Sequence, residues 1–311
     1  MTSRLPARVA LLLTLPPLLW AGNAVVGRAL VGSVPPLTLN AMRWALAFVL
    51  LLPLGWRALG RPREILDRWR YLVVLGGLGV GSYNALQYMA VRTSTPINVT
   101  LITASMPLWM LGVGFLFFRE RAGGRQLAGA ALSLAGVALV LSQGHPSTLL
   151  ALQLVPGDLL MLLAAALWAG YSWLLARPPA SMQGEARPAW NWAEHLLVQV
   201  VFGGVWAALF ALVEHLFFAP APIVWSPMLW FGWVYVALGA SIVAYWLWGV
   251  GVAAIGPSTS ASFVNLTPLF AAVLSAALLS EPPRWFHAVA FLLIAGGIVV
   301  TSLPRRQNVP G

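Results

Sequence analysis

Hydrophobic residues along this chain fall into long runs separated by short polar segments. A transmembrane helix needs about 20 mainly apolar residues to cross the hydrocarbon layer. Lipid offers no partner to an unpaired backbone group, and a helix satisfies its backbone internally. The pattern therefore predicts an all-α integral membrane protein with ten transmembrane helices, at residues 9–30, 37–56, 71–91, 95–118, 126–143, 157–176, 192–218, 227–251, 258–280 and 285–303.

The amino-acid composition excludes other classes of protein. Hydrophobic residues make up 60% of the chain and charged residues 8%, whereas a soluble domain carries about 25% charged residues. The net charge of +10 could suit a nucleic-acid partner, but the arginines lie in short gaps between apolar runs. We therefore predict membrane lipid, and no nucleic acid, as a partner. Cysteine is absent, and no motif predicts a metal or a cofactor.

The arginines also indicate the orientation in the membrane. With the N-terminus inside, 14 arginines fall in cytoplasmic segments and three fall outside, namely Arg28, Arg92 and Arg284. Positive residues favour the cytoplasmic side of a membrane. This asymmetry predicts that both termini are cytoplasmic, including a tail at residues 304–311.

Four residues in the first half of the chain recur 161 positions later. The pairs join Pro96 to Pro257, Pro107 to Pro268, Glu120 to Glu281 and Gly136 to Gly297. A Trp-Ala-Gly segment at Trp20 also returns at Trp168. These matches predict two five-helix repeats, at residues 1–143 and 157–303. Because five is an odd number, the second repeat must enter the membrane inverted, as in many secondary transporters.

This repeated pattern of a mid-helix proline, a glutamate at the helix end and a glycine-rich helix resembles the drug/metabolite transporter superfamily, specifically its EamA-type members. The resemblance covers the chain from Trp20 to Thr301. It implies ten helices around a central cavity, in a multi-pass protein of the bacterial inner membrane. The Trp- and Tyr-rich character is similar to that of YddG-like exporters of aromatic and neutral amino acids.

Polar and aromatic residues on the apolar helices are candidates for the lining of such a cavity. An amide is costly in hydrocarbon, so it should face protein or a wet space. Several pairs are three or four residues apart and so share a helix face. The alternative is that the rings form interfacial belts and the amides join neighbouring helices. The predicted substrate-binding residues are Trp20, Asn23, Tyr83, Gln87, Asn98, Trp168, Tyr171, Tyr245, Trp248 and Asn265.

Two further features have more than one interpretation. Arg43 is the arginine that lies well inside a predicted span, and it could extend its side chain to the membrane surface or bind a substrate carboxylate. Gly77 and Gly81 belong to a glycine-rich stretch without the lysine of a phosphate loop. We interpret them as a G-x-x-x-G pattern for close helix packing.

These observations predict a secondary transporter, not an enzyme, which exports small organic solutes by alternating access. Neutral and aromatic amino acids are the expected substrates of a monomeric carrier. A drug or other metabolite carrier of the same superfamily is one alternative. An intramembrane enzyme acting on lipid is another, although it would need catalytic groups at membrane depth. A non-transporting receptor or scaffold is the third.

Overall fold

A computed structural model describes residues 7–279 and 284–303, and every regular element in these ranges is helical. Prolines stand at the first turn of several helices, where the missing N–H costs no hydrogen bond. The long helices and helix segments are Ala7–Ala29, Pro36–Leu59, Trp69–Gly76, Gly77–Tyr83, Asn84–Ala90, Pro96–Ala104, Met106–Phe118, Gly124–Leu141, Pro156–Ala176, Trp192–Phe218, Pro227–Ala237, Leu238–Val243, Ala244–Ile255, Pro257–Val264, Thr267–Leu279 and Trp285–Ser302.

The structure supports most, but not all, of the ten predicted membrane crossings. Seven of the described helices are long and apolar enough to cross a membrane, or eight if one bent pair counts as a single span. The protein is thus a multi-pass membrane protein. The predicted span 71–91 coincides with three consecutive segments at residues 69–90, and the predicted span 258–280 with two segments. Ten crossings therefore remain a prediction, and Glu281 and residues 304–311 lie outside the described ranges.

Two helices contain π-helical turns at related positions. The first is Gly77–Tyr83, and the second, Leu238–Val243, begins 161 residues later. A π-helical turn widens the helix and shifts the faces of the residues that follow, and such turns are frequent at functional sites. Glycine allows close approach here, since a Cβ atom on Gly79 would lie 2.5 Å from the ring of Tyr171. The first turn thus brings the helix backbone against the ring of Tyr171.

Two other helices are broken near a proline. The segments Asn98–Ala104 and Met106–Phe118 meet at an angle of 47°, and Pro107 follows the break. The segments Pro257–Val264 and Thr267–Leu279 are separated in the same way, with Pro268 after the gap. Proline lacks the N–H that would continue the hydrogen-bond ladder, so it favours a kink. Both breaks lie beside the central space described below.

Small residues bring neighbouring helices together. A Cβ atom on Gly77 would lie 2.9 Å from Trp206 Nε1, and one on Gly81 would lie 2.5 Å from Trp206 Cβ. The helix-packing interpretation of these glycines is therefore confirmed. A Cβ on the buried Gly203 would lie 2.3 Å from Val80 Cβ, whereas one on Gly204 would meet nothing within 4 Å.

The helices Gly124–Leu141 and Trp285–Ser302 pack antiparallel along glycine faces. A Cβ atom on Gly136 would lie 2.9 Å from Ala290 O, and one on Gly297 would lie 2.6 Å from Gly129 O. As the residue number rises along one helix it therefore falls along the other. Gly136 and Gly297 are themselves related by the 161-residue offset.

Candidate functional site

A central cavity of about 80 Å³ lies between segments from both halves of the chain. Its wall combines aromatic rings, side-chain amides and small aliphatic or hydroxyl groups. It adjoins the helix break at Ser105 and the break before Thr267. The lining residues are Trp20, Asn23, Tyr83, Asn84, Gln87, Val99, Thr100, Thr103, Ala104, Met106, Trp168, Val264, Thr267 and Pro268.

A second, larger depression lies at the ends of the helices. It measures about 460 Å³ and is lined by loop residues, among them Gly32 and Pro220. Its buried carboxylate, Glu214, already accepts hydrogen bonds from the backbone N–H groups of Leu37 and Thr38 at 3.1 and 2.8 Å. The Glu214 carboxylate therefore stabilises the start of the helix Pro36–Leu59. The central cavity, whose amides have unused donors, is the stronger candidate site.

Trp168 is the centre of an aromatic cluster on one side of the central cavity. Only 2% of Trp168 is exposed. Its ring centroid lies between 4.8 and 5.6 Å from five other rings, which is the range for aromatic contact. These neighbours are Trp20, Tyr83, Tyr171, Tyr245 and Trp248. The cluster gives the cavity a rigid, amphipathic wall that could stack against an apolar or aromatic solute.

Arg43 lies beside the central cavity and is completely buried. Its Nη1 donates to Asn84 Oδ1 at 2.8 Å and to the Tyr88 hydroxyl at 3.1 Å, and its Nη2 donates to Ala240 O at 2.8 Å. Asn23 Oδ1 lies 3.5 Å from Nη1, and Nε donates to the Ser241 hydroxyl. The interpretation of Arg43 as a side chain reaching the membrane surface is therefore wrong.

The amides around Arg43 also connect the two halves of the chain. The Nδ2 atom of Asn84 donates to the Tyr245 hydroxyl at 3.0 Å, and that hydroxyl donates to Gly79 O at 2.8 Å. The hydroxyl of Tyr88 donates to Asn23 Oδ1 at 3.0 Å. Asn84 and Tyr245 stand 161 residues apart. The polar wall of the cavity is thus held by a network of side chains rather than by isolated groups.

The structure places five of the ten predicted site residues on the cavity wall and five away from it. Those on the wall are Trp20, Asn23, Tyr83, Gln87 and Trp168. Three of the others, Tyr171, Tyr245 and Trp248, belong to the buried aromatic cluster behind the wall. They contact Trp168 and thereby support the cavity from outside.

The remaining two predicted residues lie elsewhere. Asn98 donates through Nδ2 to Asp158 Oδ2 at 2.7 Å and to Gln153 O at 3.0 Å. This is the alternative role of an amide that joins neighbouring segments. Asn265 lies at the break before Thr267, is completely buried, and has no described partner for its side-chain amide. Neither residue lines the central cavity.

Asn84 is a lining amide that the sequence pattern missed, and the hydroxyl residues Thr100, Thr103 and Thr267 were missed as well. The sequence prediction paired Tyr83 with Gln87, four residues apart, although Asn84 and Gln87 are three residues apart and also share a helix face. The π-helical segment Gly77–Tyr83 ends just before Asn84, and all three side chains reach the cavity. The signal that could have identified Asn84 was its amide in an apolar span.

The titratable groups at this site are few. Among the described residues no carboxylate lines the central cavity, and no three His, Cys, Asp or Glu side chains group as metal ligands would. The polar chemistry that the cavity presents is therefore that of amides, hydroxyls and the nearby guanidinium. Such groups can bind a solute and orient it.

Comparison with known proteins matches this chain to transporters over nearly its whole length. The chain is 28% identical over 303 residues to an uncharacterized transporter of Archaeoglobus fulgidus, covering 97% of this chain and 99% of that one. It is 25% identical over 291 residues to the aromatic amino acid exporter YddG of Ancylobacter novellus, covering 93% and 95% of the two chains. It is 23% identical over 307 residues to the protein PecM of Dickeya dadantii, covering 94% and 93%.

Fold and family agree over nearly the whole chain. A solved crystal structure superposes with a TM-score of 0.70 at 24% identity and covers 96% of each chain, so it supports the fold. The family model of the EamA-like transporter family matches twice, at residues 7–142 and 155–303. The chain therefore belongs to the EamA-like transporter family, within the drug/metabolite transporter superfamily.

Proposed function

We propose that this protein is a secondary transporter, not an enzyme, which exports neutral and aromatic amino acids across the bacterial inner membrane. One observation carries the proposal: the central cavity pairs an aromatic wall, formed by Trp20, Tyr83 and Trp168, with the amides of Asn23, Asn84 and Gln87. The rings supply stacking and apolar contact to a side chain. The amides supply hydrogen bonds to the polar backbone of the solute.

The same lining argues against highly charged substrates. A dianion or a sugar nucleotide would lose the hydration of more than one charged group on entering the cavity. One buried guanidinium could not compensate for that loss. The similarity to an aromatic amino acid exporter supports the preferred class. The similarity to uncharacterized transporters is compatible with it and with other small metabolites.

Alternating access is supported by the internal relations of the chain. The family match occurs once in each half, and the two π-helical segments, the two broken helices and the Asn84–Tyr245 hydrogen bond all follow the 161-residue offset. A residue pair related by this offset and in mutual contact is what a two-fold axis through the cavity would produce. We propose that the halves are inverted repeats that rock about this cavity.

Transport in reconstituted vesicles tests the proposal. Purified full-length protein in proteoliposomes should carry radiolabelled tryptophan, phenylalanine and leucine down a concentration gradient. Flux of glutamate and lysine should be lower by about tenfold or more, because their extra charge would be desolvated without compensation. Vesicles without protein are the control for leakage. Flux selective for dianions, or no flux of any neutral amino acid, would refute the substrate class.

A further inference from the structure

The charge of Arg43 is buried, and no carboxylate in the described part of the chain contacts it. Ion pairs among the described residues join Arg61 to Glu64 and Arg177 to Glu120, and neither includes Arg43. Every acceptor of Arg43 is a neutral oxygen. Burying an unpaired charge is costly even when hydrogen bonds remain. The region around Arg43 therefore favours an additional negative charge.

The guanidinium also determines which way the neighbouring amides point. Arginine is only a hydrogen-bond donor, so Asn23 and Asn84 must direct their side-chain oxygens towards Arg43, as observed. Their NH2 groups must then point away from it. Asn84 uses one of its two N–H bonds on Tyr245, and no described residue accepts a hydrogen bond from the NH2 group of Asn23.

Both amides line the central cavity, whereas Arg43 does not. Because their oxygens accept from Arg43, the N–H groups are what these amides retain for a solute, and the buried positive charge polarises them. Hydrogen bonds in such a chain strengthen one another in a medium of low dielectric constant. A carboxylate is the acceptor that best matches two neighbouring amide donors with a positive charge behind them. A protonated amine would be repelled by the same arrangement.

We propose that Asn23 and Asn84 form a carboxylate subsite in the central cavity, and that Arg43 acts as the positioning residue that orients both amides and supplies the positive potential. This inference rests on the proposed function and specifies how the amino acid is oriented. Its carboxylate lies against Asn23 and Asn84, while its side chain lies against the rings of Trp20, Tyr83 and Trp168. A free carboxylate on the solute is then required for tight binding, and a free amine is not.

Competition binding to the purified full-length protein tests this orientation. Unlabelled tryptophan, tryptophanamide, tryptamine and indole-3-propionic acid are each tested for their ability to displace labelled tryptophan. Hydrogen bonds to a charged group contribute about 1.5–3 kcal/mol, which corresponds to tenfold or more in affinity. Tryptophanamide and tryptamine should therefore bind at least about tenfold more weakly than tryptophan. Indole-3-propionic acid, which keeps the carboxylate and lacks the amine, should still compete.

Asn84→Asp is the matching protein variant. The new carboxylate replaces the amide at nearly the same size, and its ion pair with Arg43 offsets the lost donor to the Tyr245 hydroxyl, so the protein should still fold. The positive potential is then neutralised and a negative group faces the cavity. Affinity for tryptophan should fall at least about tenfold relative to that for tryptamine. Asn23→Asp should shift the ratio in the same direction.

Gln87→Leu serves as the control, because Gln87 lines the same cavity and makes no described hydrogen bond to Arg43. Gln87→Leu should weaken the binding of tryptophan and the binding of tryptamine by similar factors. Equal competition by tryptamine and tryptophan in the wild type, or an unchanged ratio in Asn84→Asp, would overturn the carboxylate subsite while leaving amino acid transport intact. Failure of the wild type to bind any neutral amino acid would instead overturn both proposals.

Discussion

Trp168→Ala is expected to reduce both stability and tryptophan transport severely. The substitution removes a side chain that contacts five rings and is almost completely buried. Truncating a buried tryptophan costs about 3–5 kcal/mol, because the surrounding atoms lose their packing partners and a cavity remains. The aromatic wall of the central cavity would collapse or fill with water. Thermal unfolding in detergent and flux in proteoliposomes measure the two effects.

Two variants separate this effect from a general sensitivity to tryptophan loss. Trp168→Phe retains an aromatic ring and should recover part of the stability and part of the flux. Trp56 is 59% exposed and contacts no other ring among the described residues, so Trp56→Ala should change the stability and the flux little. Equal losses in Trp168→Ala and Trp56→Ala would contradict the role of Trp168 as the centre of the cavity wall.

Asp158→Ala is expected to destabilise the fold by about 3 kcal/mol or more, since hydrogen bonds to a charged group contribute about 1.5–3 kcal/mol each. Asp158 is completely buried in the first turn of the helix Pro156–Ala176. Its carboxylate accepts from the backbone N–H of Val155 at 2.9 Å, from Asn98 Nδ2 at 2.7 Å and from the Ser94 hydroxyl. It therefore links the start of this helix to the segment around residues 94–98.

Asp158→Asn is the more informative variant at this position. It preserves size but replaces one acceptor oxygen with an NH2 group, which would face donors. Its thermal midpoint should therefore fall nearly as far as that of Asp158→Ala. Asp67 is exposed in a loop, and Asp67→Asn provides the control, with little expected change. A midpoint for Asp158→Asn equal to that of the wild type would show that these hydrogen bonds contribute little.

The sequence was sufficient to predict most helix positions. The run 192–218 coincides with the helix Trp192–Phe218, because a long apolar run bounded by polar residues has one economical solution in lipid. Pro107 and Pro268 were recognised as repeated residues, and both follow breaks in their helices. The family was also accessible from the sequence, because the repeated proline and glycine pattern resembles EamA-type transporters and the family match confirms this.

The site was harder to predict, for physical reasons. The π-helical segment Gly77–Tyr83 shifts the faces of the residues before it relative to those after it, so an α-helical spacing rule cannot relate the two sides of this segment. The sequence also could not show that Arg43 turns inward, since a long cationic side chain can reach the membrane surface from the same position. Tyr171 and Trp248 support the cavity from behind because they pack on Trp168. Spacing alone cannot distinguish a wall from its support.

The central claim is that the cavity between Trp20, Asn84 and Trp168 is where the transported amino acid binds. The chain contains no cysteine, so Thr103→Cys introduces a single thiol on the cavity wall. Glu185→Cys, in an exposed segment, provides a control thiol outside the cavity. The measurement is the rate at which a small polar thiol reagent labels each variant with increasing tryptophan concentration. We predict that tryptophan slows labelling of Thr103→Cys in a saturable manner and leaves that of Glu185→Cys unchanged; transport of tryptophan without any such protection would contradict the claim.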